Sequence, residues 1–481
     1  VTAIAGVPPA TRAALAAVGA AAVGGALVLL ATRHDPLLSP DSMTYLSTAE
    51  HLRGGDGFID FTGRPMTVFG PVFPLLLAPG GRSLAWASTV TAVAVVVSTM
   101  LLYLLLRDRV RPWVAVGGAL AFAAAQGVVR VASTVWSELP YITVALGVLV
   151  VLTRQRHALT DRRAAIGGVF AGLGFLTRYA GLGLIVTGAV VTCAPWVLRN
   201  LIRTGEPLGP RFEGGSPESW GTLWRTPLAP IGQLLIGDRV GSPERVGTIV
   251  VVVLAAGAVA LGGLALAGRR PRAVDAGIAA FALTSYVVPV LARAATSNDI
   301  EYRVMSPMLV PMVYAAALAA DRVVRWHAGA VLAAGALAVW SYQGVVAASD
   351  FPDALPYSAA SRTQYAPALY DLIDALPSDA TVLTNSPQRV WWQTGREPTL
   401  FAFTRPRPGN SHYPLDVDAT LRVACRGGAH LAWFGQLLNA GDGPQERRPD
   451  LLAVVDLTLE QQVQGGELYA VTPRDAGRCP Q

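Results

Sequence analysis

Apolar residues in this chain come in long blocks and lack the strict alternation of half-buried strands. Ten blocks stand out, at 12–32, 84–106, 113–130, 132–153, 164–178, 180–197, 247–267, 273–293, 304–320 and 327–348. A helix needs about 20 apolar residues to cross a bilayer, so the pattern predicts a polytopic α-helical membrane protein. The first block is longer than the apolar core of a secretory signal, and no clean small-residue cleavage site precedes the polar stretch at Arg33. It therefore predicts an uncleaved first helix.

The polar residues between the blocks carry direction. Four short loops are rich in arginine: Arg107, Arg109 and Arg111; Arg154, Arg156, Arg162 and Arg163; Arg269, Arg270 and Arg272; Arg322 and Arg325. Short basic loops stay on the cytoplasmic side. Segment 33–83, the 295–303 loop and everything after residue 349 then face outward. One count does not close. An even number of crossings must separate the second basic loop from the third, and the blocks between them number three. A hidden or missing crossing is the favoured solution, with 228–236 a place for a hidden one, for an architecture of about 10–11 transmembrane helices. Two spans fused within 180–197, or a single crossing by 164–197 broken at Arg178-Tyr179, are the alternatives.

The loop at 33–83 is the most informative stretch. After Pro40, residues 41–53 predict a short amphipathic helix, with Met43, Leu46, Ala49 and Leu52 on one face and Gly54-Gly55 ending it. Residues 69–78, bracketed by Pro71 and Pro74, are apolar but too short to span, and predict a piece lying in the interface. Asp41 opens the first of these helices. It is either an N-cap that accepts a backbone N–H, or a general base held at the membrane surface near a lipid-borne substrate.

After residue 349 the composition changes. Gly, Pro, Asp and Arg become frequent and apolar runs shorten. Helices at 365–376 and 416–424 and strands at 381–384, 431–434, 452–455 and 468–471 predict a C-terminal α/β domain. The chain thus divides into a transmembrane domain, 1–348, and an extracytoplasmic domain, 349–481. Trp391 and Trp392 are either sugar-stacking rings or core and membrane-facing aromatics, and the second reading is preferred.

Composition narrows the function. With 481 residues, 52% apolar and 15% charged, and mean hydropathy +0.43, the chain is not a disordered protein, a disulfide-dense module or a typical cytosolic enzyme. All 38 basic residues are arginine. That usage, beside heavy Ala, Gly and Val, matches GC-rich coding as in actinobacteria. The net charge of +6 does not imply a nucleic-acid partner, because the arginines cluster between apolar blocks. The three cysteines lack metal-ligand spacing. Cys193 predicts a small buried hydrophobe. Cys425 and Cys479 predict a disulfide if their region lies outside the cytoplasm, and two free thiols otherwise. No P-loop and no dinucleotide fingerprint is present.

Several motifs resemble the GT-C superfamily of membrane glycosyltransferases, most closely the bacterial relatives of the protein mannosyltransferases and aminoarabinose transferases. They are Asp41-Ser42-Met43-Thr44-Tyr45 through Ala49 and Glu50, the Gly54 to Phe58 break, and Gly70-Pro71-Val72-Phe73-Pro74-Leu75. Ser137-Glu138-Leu139-Pro140, Leu176-Thr177-Arg178-Tyr179-Ala180-Gly181, Pro195-Trp196-Val197-Leu198-Arg199-Asn200 and the Arg303 to Pro307 entry to a late span follow in order. The resemblance covers residues 10–350, and 164–200 is shorter than the family's three spans need.

The resemblance implies a polyprenyl-phosphate sugar donor, the bilayer as partner, and a glycan, lipid or protein acceptor. Asp41 would activate the acceptor hydroxyl. Arg178, Arg303, Arg64 and Arg211 would be candidates for the donor phosphate, with Tyr179 and Tyr302 on phosphate or sugar. Glu138, Tyr45 and His51 would orient the acceptor. The resemblance implies no certain cofactor; some superfamily members use a divalent cation, yet Glu50 and His51 form no convincing metal cluster. A transporter or flippase of envelope precursors, or a non-catalytic scaffold, is the competing class. The chain shows no obvious internal repeat, and its polar residues gather in the predicted outer loops rather than inside paired spans.

Overall fold

The computed structural model describes residues 8–153, 161–178, 187–205, 207, 219–237, 242–266, 272–296, 300–350, 367–400, 417–435 and 455–479. Most residues of the apolar blocks are helical within them. The helices are α1 (Pro9–Ala31), α2 (Pro40–Gly54), α3 (Val72–Leu77), α4 (Leu84–Leu106), α5 (Pro112–Ala123), α6 (Gln126–Ala132), α7 (Glu138–Thr153), α8 (Asp161–Thr177), α9 (Thr187–Thr204), α10 (Trp220–Leu223), α11 (Leu228–Ile236), α12 (Pro243–Leu266), α13 (Ala273–Thr296), α14 (Leu309–Val323) and α15 (His327–Asp350). Among the described residues five are long and apolar enough to cross a membrane, or six when α5 and α6, bent by 46°, count as one. The chain is a multi-pass helical membrane protein.

Contacts at the helix ends give the direction of each pass. At one end of the bundle, the Arg109 guanidinium Nε donates to Asp275 at 2.9 Å, and the Tyr314 hydroxyl donates to the same carboxylate at 2.7 Å. The Arg111 backbone N–H and Nε donate to Asp321 at 2.9 and 3.0 Å. These arginines, predicted as topology markers, also staple the α4–α5 loop to α13 and α14. The opposite end carries loop 33–83. There the Leu37 N–H donates to the Ser133 carbonyl, and Arg33 reaches the Ala348 and Ser349 carbonyls. A 23-residue α4 separates the two ends by about 35 Å.

The crossing that did not close has a structural answer. Residues 228–236 do form a helix, but nine residues rise only about 14 Å, too little to cross. Instead α11 folds back on α12. A Cβ on Gly232 would meet the Pro243 carbonyl oxygen at 1.8 Å, and one on Gly247 would meet that of Leu228 at 1.8 Å. Helices α8 and α9 both finish at the loop end. Gly70 packs on the Leu176 carbonyl, and Arg199 and Asn200 donate to the carbonyls of Met66 and Thr67. With both helix ends at the loop end, parity is kept without a hidden span at 228–236.

Two further expectations change. The block at 132–153 becomes helical only at Glu138, and the residues from Ser133 to Ser137 cross irregularly under the loop. Helix α2 is not a half-wet surface helix. Every side chain from Ser42 to Ala49 is buried, because Phe73 and Leu77 of α3, Val135 and Trp391 close around it. Helix α3 keeps the interfacial character, with Leu75 and Leu76 exposed.

Past α15 lies a five-stranded sheet ordered β2-β1-β3-β5-β4. Its strands are β1 (Thr381–Thr384), β2 (Thr399–Leu400), β3 (Ala429–Trp433), β4 (Val455–Val463) and β5 (Gly466–Pro473), with helices α16 (Pro367–Ala375), α17 (Pro387–Thr394) and α18 (Val417–Cys425). β2, β1 and β3 run parallel, while β5 and β4 form an antiparallel hairpin on β3. Alternate residues serve two cores, as the pleat requires: Val382 and Ala432 pack with α16, Leu383 and Leu431 with α18. The predicted strand at 452–455 lies largely outside the described residues, and β4 starts at Val455. Cys425 and Cys479 are disulfide-bonded, 5.7 Å between Cα atoms. Cys193 is a free, buried thiol.

Candidate active site

The site forms where the head of α2 meets the segment before α7 and the loop before α14. Pro40 occupies the first turn, where its missing N–H costs nothing. Ser39 is the N-cap: its Oγ accepts from the Ser42 N–H at 3.2 Å, and Ser42 Oγ accepts from the Ser39 N–H at 3.0 Å. The cap is thus filled by serine, and the Asp41 carboxylate is left for another partner. That partner is Arg303, whose Nη1 donates to Asp41 Oδ2 at 2.6 Å. Arg303 Nε lies 2.8 Å from Glu301 Oε2, an ion pair whose angle does not make it a hydrogen bond. The Arg303 guanidinium stands 4.7 Å over the Trp136 ring.

A second pair lies alongside. Arg178, at the end of α8, is ion-paired with Glu138, whose side chain is 3% exposed. A buried arginine in an otherwise apolar stretch needs such a carboxylate. The Tyr45 hydroxyl is 3.2 Å from Ser137 Oγ, next to Glu138. Burial, and then the Asp41 and Glu138 charges, push the Tyr45 phenol well above its ordinary pKa. Tyr302 is raised too, mainly by burial. Both remain neutral hydroxyls at any physiological pH. Burial opposes the Arg303 charge, but the carboxylates of Asp41, Glu138 and Glu301 outweigh it and raise that guanidinium above its usual value.

Asp41, Arg303, Glu138, Arg178, Tyr45 and Tyr302 are therefore brought together from segments up to 262 residues apart. His51 does not join them. It sits ten residues along α2, about 15 Å away by helical rise, between Asp56 at 3.3 Å and Glu397 at 3.4 Å. Arg64 is exposed in a turn closed by Asp60, outside the contacts that bind the cluster. Tyr179 and Arg211 lie outside the described residues. Trp391 and Trp392 stack under Arg82 at 4.5 and 5.1 Å and dock the C-terminal sheet on the loop, which is the core role rather than sugar stacking.

Ser39 and Trp136 belong to the site but were not singled out from sequence. The motif read as Ser137-Glu138-Leu139-Pro140 begins one residue after Trp136. Among the described residues no group of three or more His, Cys, Asp or Glu side chains is set to hold a metal ion.

Chemically, the cluster offers a carboxylate able to take a proton, two arginine forks able to bind an anion, and neutral phenols able to donate. The forks are already aimed by carboxylates, so an entering anion finds them organised.

No protein-family model matches the chain, and no curated protein matches it by sequence. Among solved structures it resembles ArnT from Cupriavidus metallidurans bound to undecaprenyl phosphate, at 12% identity and TM-score 0.62, over 96% of this chain and 99% of that one. The same protein in the apo state matches at 13% identity and TM-score 0.47, over 96% and 98%. Identity this low speaks to architecture alone, and the architecture agrees over nearly the whole length. The chain has the GT-C fold.

Proposed function

We propose that this protein is an inverting glycosyltransferase that moves a sugar from a polyprenyl-phosphate donor to an acceptor hydroxyl, on the extracytoplasmic face, in cell-envelope glycan assembly or glycoconjugate modification. The Asp41–Arg303 pair beside Glu138–Arg178 carries this reading. It sets a proton acceptor against phosphate-binding forks at the membrane end of a GT-C fold. The neighbouring ArnT structure holds undecaprenyl phosphate, which supports a lipid phosphate as the anion. The motifs shared with mannosyl- and aminoarabinosyltransferases favour a mannosyl or arabinosyl unit. The acceptor is a glycan, lipid or protein hydroxyl.

Two features favour the outer side. The arginine-rich loop at 107–111, joined to Asp275 and Asp321, lies at the end of the bundle away from Asp41, as the positive-inside rule asks of the cytoplasmic end. The Cys425–Cys479 disulfide belongs to an oxidising compartment.

In this mechanism the donor phosphate takes Arg303 and Arg178 from their carboxylates. Asp41, released, accepts the proton of the acceptor hydroxyl. The oxygen attacks the anomeric carbon on the face opposite the phosphate. The carbon–oxygen bond to phosphate breaks, its electron pair leaves with the polyprenyl phosphate, and the configuration inverts. The arginines carry the charge that grows on the leaving group.

Binding of undecaprenyl phosphate to the purified protein, followed by native mass spectrometry, tests the phosphate role. Arg303→Gln should weaken it by about tenfold or more, the value of a charge-assisted hydrogen bond. Wild-type affinity in that variant would remove Arg303 from the phosphate site.

A further inference from the structure

Trp136 touches both supports of the Asp41–Arg303 pair. Its side chain is almost fully buried, the residue being 8% exposed. The indole Nε1–H donates to Ser39 Oγ at 2.7 Å, the oxygen that caps α2 one residue before Pro40. The ring face lies 4.7 Å from the Arg303 guanidinium carbon, within reach of a cation–π attraction. Arg303 in turn holds Asp41 at 2.6 Å. A closed circuit results, from Trp136 to Ser39, through Pro40 to Asp41, across to Arg303 and back to the same indole.

The circuit is anchored from behind. The Leu37 N–H donates to the Ser133 carbonyl at 2.9 Å, and the Val135 N–H donates to the Leu37 carbonyl at 3.2 Å. The strand-like bridge between Leu37 and Thr134 thus fixes the chain on both sides of the indole contact. Neither the Arg303 fork nor the head of α2 has another aromatic ring or indole donor joining them among the described residues.

We infer that Trp136 is a positioning residue for the transfer step, acting through Asp41 and Arg303 without touching the reacting atoms. Its N–H places the head of α2 and so the Asp41 carboxylate; its ring places the Arg303 fork. The inference rests on the roles proposed for Asp41 and Arg303. The two contacts are separable. Trp136→Phe keeps a ring under Arg303 and removes the N–H. Ser39→Ala removes the acceptor of that N–H. Trp136→Leu removes both the donor and the ring.

The test uses full-length protein, with two readouts: sugar transfer in membranes supplied with mannosyl- and arabinosyl-phosphate polyprenols, and undecaprenyl phosphate binding. Trp136→Phe should lower the maximal rate about five- to tenfold, the value of one buried hydrogen bond, and leave lipid-phosphate affinity within about twofold. Ser39→Ala should lower the rate as well, and adding Trp136→Phe to it should cost little more, since both break one contact. Trp136→Leu should weaken lipid-phosphate binding several-fold besides. A wild-type rate for Trp136→Phe, multiplying losses in the Ser39→Ala background, or unchanged binding by folded Trp136→Leu would each overturn the inference. Asp41→Asn separates it from the reading beneath. Transfer by that variant overturns the role of Asp41. An inactive Asp41→Asn beside a fully active Trp136→Phe overturns the positioning role alone.

Discussion

Asp41→Asn is expected to lower sugar transfer by at least about a hundredfold, the usual worth of a positioned general base, while the protein folds and still binds undecaprenyl phosphate. The substitution is nearly isosteric. It leaves the helix start intact, because Ser39 and Ser42 supply the cap. It removes only the charge and the proton-accepting oxygen facing Arg303. Lipid-phosphate binding should be unchanged or tighter, since the competing anion on Arg303 is gone. Initial rates in membranes and binding by native mass spectrometry check both halves. Loss of rate accompanied by loss of fold would point to a structural role instead.

Glu138→Gln should be the most destabilising single change at the site. The Glu138 side chain is 3% exposed and that of Arg178 is 21% exposed, and each holds the other. Removing one charge strands the other in a poorly solvated place, a loss of about 3–5 kcal/mol for buried pairs. Glu138 also stands in the first turn of α7, where a negative charge favours the helix dipole. The double variant Glu138→Gln/Arg178→Met should recover much of that stability, because no bare charge remains. It should not recover transfer, if Arg178 binds the leaving phosphate. Thermal unfolding in detergent measures the first effect and initial rates the second. Equal stability for wild type and Glu138→Gln would show that water reaches the pair.

Much of the bundle was legible because a bilayer leaves the backbone few choices. Apolar length alone located α4 to the residue and α1, α8, α12, α13 and α15 to within four. What apolar length cannot show is whether a segment crosses or returns, and 228–236 is a helix too short to cross. The burial of α2 on all sides was hidden for a related reason. Its polar Ser42, Thr44, Ser47 and Thr48 read as a wet face, whereas the covering surfaces come from α3 and from α17, more than 300 residues away.

The site was legible residue by residue but not as pairs. Asp41 and Glu138 stood out as acids at element starts, Arg178 as a charge in an apolar run. Nothing in the sequence joins Asp41 to Arg303 across 262 residues. A local ion pair joins Arg303 to Glu301 two residues before it, yet it is only one side of the Arg303 fork. Trp136 escaped notice because an apolar residue inside an apolar block carries no signal of its own. In the C-terminal sheet, β4 escaped notice past Val455 because its residues there are mostly exposed, many of them polar.

Reconstitution of the purified protein in liposomes, with a polyprenyl-phosphate sugar labelled in the sugar and an acceptor extract on either side, measures the proposed transfer itself. Label should move covalently to an acceptor with inverted anomeric configuration, free polyprenyl phosphate should appear in equal amount, and Asp41→Asn should form neither. Movement of intact lipid-linked sugar or solute across the bilayer, with no glycosidic bond formed and no dependence on Asp41, would contradict it.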